Sequence, residues 1–302
     1  MTSTPLVTVA LPVYNGGLHL QDAIDSILAQ DMDDFELVIG DNGSEDSTEA
    51  ICHRAAADPR VRYERSSVNR GAAWNYNRLV DRARGRYFKW AAHDDMLAAT
   101  FLSRCDSELE SATEAVLAYP RTILIDDTGA ILDPEFDDGL DLRDEDPRRR
   151  FRRYLVHPGE QHPVFGVMRL NALRRTGLIA SCWGGDQVLL AQLALMGEFH
   201  EIPDRLFLRR YHATTSLMQR TPEEVTTWYD TSSRPKVTWP RTRLTAELAS
   251  VAATSTIPIS QRVGCLADIA TRWAPRYAHV MAGELKRSVQ LHLGMTPATN
   301  LN

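Results

Sequence analysis

From Leu6 onward, short β-branched runs alternate with stretches whose apolar residues recur at helical spacing. Leu6–Leu11 reads as a buried strand broken by Pro12. After the Asn15-Gly16-Gly17 turn, Leu20, Ala23, Ile24, Ile27 and Leu28 fall on one face of a helix. Phe35–Ile39 predicts a second strand and Ser47–Ala57 a helix; Val61–Tyr63 a third strand and Gly71–Ala83 a helix; Tyr87–Ala91 a fourth strand. Strands alternating with helices imply right-handed crossovers and a mostly parallel sheet. Beyond it the pattern is less regular, with strands expected at Val116–Tyr119, Ile123–Asp126 and Arg205–Arg210. After about Thr221 the texture turns Thr/Pro-rich and then helical. Leu244, Leu248, Val251 and Ala252 share one face, Val263, Leu266, Ala267 and Ala270 another, and Val280-Met281, Leu285 and Val289 suggest a third helix.

A chain of 302 residues has room for one large α/β domain with an appendage. The net charge of −6 makes a dedicated nucleic-acid binder a poor fit, because phosphate binding needs concentrated Lys and Arg. No apolar run approaches the ~18–20 residues of a bilayer span. Met1–Pro5 lacks the basic and apolar regions of a secretory signal. Cys52, Cys105, Cys182 and Cys265 are widely spaced, which fits a reducing cytoplasm better than a zinc ribbon or disulfide scaffold. The expected location is therefore cytoplasmic. The run Arg148, Arg149, Arg150, Arg152, Arg153 invites peripheral contact with the inner face of a membrane or with a polyprenyl phosphate, but Asp141, Asp144, Glu145 and Asp146 stand directly upstream to balance it.

In an open parallel sheet, ligands gather at the C-terminal ends of the strands. Three polar loops occupy those places: Pro12–Gly16, Asp41–Ser47 and His93-Asp94-Asp95. Adjacent carboxylates repel unless a cation or donors compensate, so Asp94-Asp95 suits Mg²⁺ or Mn²⁺ shared with a diphosphate. Singly, each loop also reads as an ordinary turn; their joint order at one sheet edge is what points to a site.

Val9–Asn15, Gln30–Thr48, Asn69-Arg70-Gly71, Asn77, Ala83–Tyr87 and His93-Asp94-Asp95 together resemble the family 2 glycosyltransferases of the GT-A fold. The resemblance is close over about the first 105 residues and scattered up to Ser216. It implies a GT-A catalytic domain over 1–216, divided into a nucleotide-binding half (1–115) and an acceptor-binding half (116–216), with a C-terminal helical region at 217–302. It further implies a nucleotide-diphosphate sugar donor, uridine diphosphate foremost, and an inverting, metal-dependent transfer to a saccharide, lipid-linked or natural-product acceptor. Pro12, Tyr14 and Asn15 would line the base site, Asp41 would hold base or ribose, and Asn69 and Arg70 would add contacts. Asp94 would meet ribose or phosphate and Asp95 the metal, with His93 where the family often has its first Asp. Trp183-Gly184-Gly185-Asp186-Gln187 resembles the family's Gly-Glu-Asp-like segment. Asp186 is then the general base, or a helix N-cap after two glycines, while Trp183 and Gly185 stand on the acceptor side, Trp183 stacking on a sugar or filling core. Arg209–Ser216 resembles the Arg-x-His-x-x-Ser segment, which makes His212 a further metal ligand. The C-terminal helices offer a lid, an acceptor platform or a homodimer contact.

Three other functions fit less well. A nicotinamide-dependent oxidoreductase needs Gly-x-Gly-x-x-Gly after the first strand, where this chain has Pro12-Val13-Tyr14-Asn15-Gly16. A sugar-nucleotide pyrophosphorylase expects a Gly- and Arg-rich first loop. A catalytically silent sugar- or nucleotide-binding module predicts loss of the acid pair or base, and Asp94, Asp95 and Asp186 are all present.

Overall fold

The computed structural model describes residues 4–211, 221–232 and 238–293. In chain order the first half contains β1 (Val7–Val13), α1 (Leu20–Leu28), β2 (Phe35–Asp41), α2 (Thr48–Ala55), β3 (Val61–Arg65), α3 (Ala72–Arg82), β4 (Tyr87–Trp90), β5 (Met96–Leu97) and α4 (Phe101–Ser111). There follow β6 (Ala115–Ile125), β7 (Ile131–Asp133), α5 (Pro147–Val156), β8 (Val167–Arg169), α6 (Leu170–Leu173), α7 (Gly185–Met196) and β9 (Glu198–Arg210). The C-terminal part is α8 (Pro222–Tyr229), α9 (Pro240–Thr254), α10 (Ile259–Asp268), a π-helical turn at Ile269–Trp273, and α11 (Ala274–His292). No helix among the described residues is long and apolar enough to cross a membrane.

The strands form one mixed sheet in the order β3-β2-β1-β4-β8-β6-β9-β5, with β7 pairing to β6. The pairs β3–β2, β2–β1, β1–β4 and β6–β9 are parallel; β8 runs antiparallel to β4 and β6, as β5 does to β9. Strands buried on both faces should read as continuous apolar runs, which is what β1 and β2 show. Val9, Leu11, Leu37 and Ile39 face α1 and α4, while Ala10, Val38, Phe88 and Trp90 face α3 and the core shared with α7.

Pro12 does not break the first strand; it is paired with Gly40. The Ala10 carbonyl addresses the β4 side, where pairing stops at Ala10–Trp90, so the amide that Pro12 lacks falls beyond the last rung. The two strands expected at Val116–Tyr119 and Ile123–Asp126 are likewise one strand, β6, which crosses Pro120 and Arg121 through register shifts against β9.

The C-terminal helices share the core of the sheet-bearing part: Leu244, Leu248, Val251 and Ala252 are buried in the same cluster as Trp90 and Leu189. On α10 the expected face is reversed. Val263 is 60% exposed, whereas Gly264, Cys265, Asp268 and Ile269 are buried. Two contacts decide this. The Arg148 side chain lies where a Cβ on Gly264 would be 2.5 Å from its Nε, and that Nε donates to Asp268 at 2.9 Å. On α11 the inward group is also polar. The Glu284 carboxylate accepts from the Arg241 and Thr242 amides at 2.8 and 3.0 Å, satisfying donors that the start of α9 leaves open.

Lys89 on β4 is fully buried among hydrophobic residues. Its Nζ donates to the Phe165 carbonyl and lies 4.1 Å from the Phe101 ring centroid. Burial lowers its pKa to about 7. The unfolded chain therefore binds more protons than the folded one between about pH 7 and the ordinary lysine value of ~10.4, so this group costs stability in full below that window and nothing above it. Lys89→Met is expected to raise the melting temperature most below pH 7. Melting curves across pH check this: an advantage that fails to shrink as pH rises through the window contradicts it.

Candidate functional site

The C-terminal ends of β1, β2 and β4 bring their three loops together, and backbone-directed side chains fix two of them to each other. Ser44 Oγ accepts from the Asn15 amide at 2.9 Å, Thr48 Oγ1 from Gly16 at 3.0 Å, and Asp46 from Gly17 at 2.8 Å. In return the Asn15 carboxamide accepts from the Glu45 amide at 2.9 Å. Asn15 holds φ 51°, a left-handed conformation that Asn tolerates better than most residues. The third loop joins at Gly16, where a Cβ would lie 2.7 Å from the His93 ring. The polar strings of the sequence are thus the fastenings of the site as well as its lining.

Between these loops and the opposite half lies a cavity of about 1030 Å³. One wall is Pro12, Tyr14, Asn15, Asn42 and Asn69; the floor carries Asn75, Tyr76, His93 and Asp94. The far wall is supplied by Gln161, His162, Phe165, Asp186, Arg209 and Tyr211, and by Glu223, Trp228 and Tyr229 of α8. The volume is at the upper end of ordinary ligand pockets, enough for a ligand in two parts.

Asp186 sits in the first turn of α7, half-buried, with Oδ1 accepting from the Gln187 amide at 2.8 Å. The cap of α7 is Gly184 in a left-handed conformation, φ 76°, so Asp186 is not the N-cap. Gly185 permits this tight entry: a Cβ there would be 2.2 Å from the Ala180 carbonyl oxygen. Asn77 holds the segment ahead of it, exchanging hydrogen bonds of 2.9 and 3.0 Å with the Ile179 backbone. Burial pushes the Asp186 carboxyl above its ordinary value, against the Gln187 amide and Arg209. Burial thus makes this carboxyl a stronger base than an exposed aspartate.

The acid pair divides. Asp94 lines the cavity. Asp95 turns the other way, and both its oxygens are taken, by Arg209 Nη1 at 2.7 Å and the Arg210 amide at 2.9 Å. Burial and Asp94 push the Asp95 carboxyl up while Arg209 holds it down. Burial also opposes the Arg209 charge, but Asp95 and Asp94 outweigh it and raise the Arg209 pKa. The Arg210 guanidinium, fully buried, donates to the carbonyls of Asp94, Asp126 and Asp127 and so fixes the loop from behind. Asp95 is therefore the buried partner of a cavity-lining arginine rather than a group facing the cavity.

The remaining expected residues separate into those on the cavity and those behind it. Asp41 is fully buried, its carboxylate accepting from the Ser44 amide at 2.8 Å, the Tyr63 hydroxyl at 2.9 Å and Arg65 Nε at 3.1 Å. It holds the second loop and does not reach the cavity; Asn42 beside it does. Asn69 reaches the cavity and accepts from Asn42 Nδ2 at 2.9 Å. Arg70 lies over the Trp74 ring, 4.9 Å from its centroid, away from the cavity. Trp183 is covered by Arg241 of α9 at 4.2 Å and packs on the core, which places it behind the cavity wall. His212 lies outside the described residues.

Sequence reasoning passed over Gln161, His162 and the whole of α8. His162 is buried, paired through Nδ1 with Thr122 Oγ1 at 3.0 Å, and burial lowers its pKa to about 3, so it faces the cavity uncharged. α8 comes from the region assigned to the appendage, and a boundary at 216/217 would cut the cavity wall. Its fit depends on Gly71, φ 90°, where a Cβ would lie 2.4 Å from the Tyr229 carbonyl oxygen. Thr231 Oγ1 completes the join by donating to the Asn69 carbonyl at 2.9 Å.

A parallel β3-β2-β1-β4 half whose strand-end loops share one cavity with an acidic helix start is the arrangement of the GT-A class of α/β fold. The chain belongs to the glycosyl transferase family 2, whose model matches residues 8–176. An uncharacterised glycosyltransferase of Rickettsia typhi is 37% identical over 95 residues, which is 32% of this chain and 29% of the relative. The match thus spans less than a third of that relative's length. Among solved structures, S. aureus TarS in complex with UDP-GlcNAc aligns with a TM-score of 0.68 at 13% identity, covering 89% of this chain and 73% of that one. The mannosyltransferase PcManGT of Pyrobaculum calidifontis, in complex with GDP-Man and Mn²⁺, aligns at 0.52 with 18% identity over 96% of this chain and 87% of that one. At these identities the structural likeness speaks for the fold.

Among the described residues no group of three His, Cys, Asp or Glu side chains is arranged around a common point as a cation cage. A divalent ion of the Mg²⁺ type still fits, because it commonly binds through one or two carboxylates and takes its remaining oxygens from substrate phosphate and water. Of the Asp94-Asp95 pair, Asp94 is the carboxylate that lines the cavity.

Proposed function

We propose that the chain is an inverting, metal-assisted glycosyltransferase that moves a hexosyl-type sugar from a nucleotide-diphosphate donor, uridine diphosphate foremost, to an acceptor hydroxyl. The observation that supports this is that Asp94 and Asp186 line the same cavity, one wall of which is built from the loops after β1 and β2. Pro12, Tyr14, Asn15, Asn42 and Asn69 offer the base and ribose an apolar edge with amide groups, and Asp94 with Arg209 stands where the diphosphate would lie. TarS holds UDP-GlcNAc and PcManGT holds GDP-Man with Mn²⁺, so both nucleotides occur on this fold.

In the reaction the acceptor hydroxyl oxygen attacks the anomeric carbon from the face opposite the diphosphate. The new C–O bond forms as the bond to the phosphate oxygen breaks, and the nucleoside diphosphate leaves with the electron pair. Asp186 takes the hydroxyl proton, and its upward-shifted pKa matches that task. Arg209 stays charged beside Asp94 and Asp95 and offsets negative charge on the departing diphosphate. A bound Mg²⁺ or Mn²⁺, held by Asp94, would neutralise further charge there. The acceptor would be a saccharide, a lipid-linked saccharide or a natural product. The outward apolar face of Val263, Leu266 and Leu285 supports contact between two copies.

A panel of uridine, thymidine and guanosine diphosphate sugars, with and without Mn²⁺, tests the donor assignment by thermal shift. A specific donor raises the melting temperature by mass action. A uridine diphosphate sugar is expected to give the largest rise, and more with the metal; equal shifts throughout would overturn the donor reading.

A further inference from the structure

The five arginines of the α5 run are engaged differently. Asp146 caps the helix, accepting from the Arg148 and Arg149 amides. Arg148 is spent on Asp268, and Arg150 is buried, donating to the Ala194 carbonyl at 2.8 Å and to the Asp144 carbonyl. Arg149 reaches the Asp144 and Asp146 carboxylates only at 3.9 Å. Among the described residues Arg152 and Arg153 pair with no carboxylate. The acidic segment upstream therefore does not neutralise the run.

Arg149, Arg152 and Arg153 line one depression of about 470 Å³ with His157, and Arg272 of the π-helical turn faces them. Asp144 is the only acid among the lining residues, and none of them lines the donor cavity. Arg272 itself reaches Asp268 at 3.3 Å, a carboxylate it shares with Arg148. Four guanidiniums gather around one concavity with a single lining carboxylate, and among the described residues only Arg272 reaches a carboxylate at less than 3.9 Å, so an entering anion would relieve their mutual repulsion. Their planar donor forks match phosphate oxygens two at a time, and at the protein surface they hold phosphate better than lysines would.

We propose that this depression, formed by α5 and the π-helical turn, is a second anion site that takes a phosphate or phosphodiester group, separate from the donor cavity and independent of the transfer reaction assigned to it. Two sources carry that chemistry, the headgroup of an anionic lipid and a free phosphate-bearing ligand.

The test uses the full chain with two probes: inorganic pyrophosphate followed by calorimetry, and sedimentation with phosphatidylglycerol or phosphatidylcholine vesicles. Because the proposed donor cavity would also admit a diphosphate, the variant Arg152→Gln/Arg153→Gln is compared with Asp94→Asn. The arginine variant is expected to lose about tenfold or more in affinity for one probe, with its melting temperature and donor binding retained. Arg153→Gln alone should show part of that loss, which guards against a folding defect in the double variant. Asp94→Asn should keep the arginine-dependent component. Loss on phosphatidylglycerol vesicles assigns the site to a lipid headgroup; loss on pyrophosphate alone assigns it to a free phosphate. Binding of both probes unchanged by the arginine substitutions, or absent from the unsubstituted protein, overturns the proposal.

Discussion

Asp186→Asn is expected to leave donor binding intact and to lower turnover by about 10²–10⁴-fold, the usual contribution of a positioned base. The amide keeps the size of the side chain, and an oxygen can still accept from the Gln187 amide at the start of α7. It cannot take the acceptor proton. The unsubstituted protein should also lose kcat/KM as pH falls through the Asp186 pKa. That pKa lies above the ordinary carboxylate value because burial disfavours the charged form, so the acid limb should sit above the range of an exposed aspartate. Steady-state rates with a labelled donor check both points. Wild-type turnover by the Asn variant would place the base elsewhere, and retention of the donor's anomeric configuration would exclude single displacement.

Two neighbouring carboxylates should fail in different ways. Asp94→Ala is expected to keep the fold and lose transfer, because its carboxylate belongs to the cavity wall. Asp95→Ala should cost stability first. Its side chain is 2% exposed, and its removal leaves the Arg209 guanidinium and the Arg210 amide without their acceptor. Breaking one side of a buried ion pair costs about 3–5 kcal/mol. Denaturant melts and transfer assays on the two variants separate these effects. A stable, inactive Asp95→Ala protein would return the metal-facing role to Asp95.

That contrast shows how far the residue pattern reached. His93-Asp94-Asp95 is legible as an acidic strand end, yet which carboxylate meets the ligand depends on Arg209, more than a hundred positions away in sequence and joined through β5–β9 pairing. The same holds at the second loop. Asp41 and Asn42 are adjacent and both polar, but Tyr63 and Arg65 of β3 claim Asp41 and leave Asn42 on the cavity. Trp183 reads equally well as a sugar platform or as core, and Arg241 from α9 covers it.

The sequence by itself determined the alternating first half, the helices α1 and α9 with their buried faces, and the three loops that gather at one sheet edge. Each depends on local periodicity or on short-range turn chemistry, which the order of residues carries directly. Only the tertiary structure decided that β6 continues through Pro120, that α10 buries Gly264 and Asp268 instead of Val263, that α8 closes the cavity over Gly71, and that Arg152 and Arg153 find no acidic partner among the described residues. These outcomes rest on close approach and charge pairing between distant segments, which compete with local pattern and, where burial is deep, outweigh it.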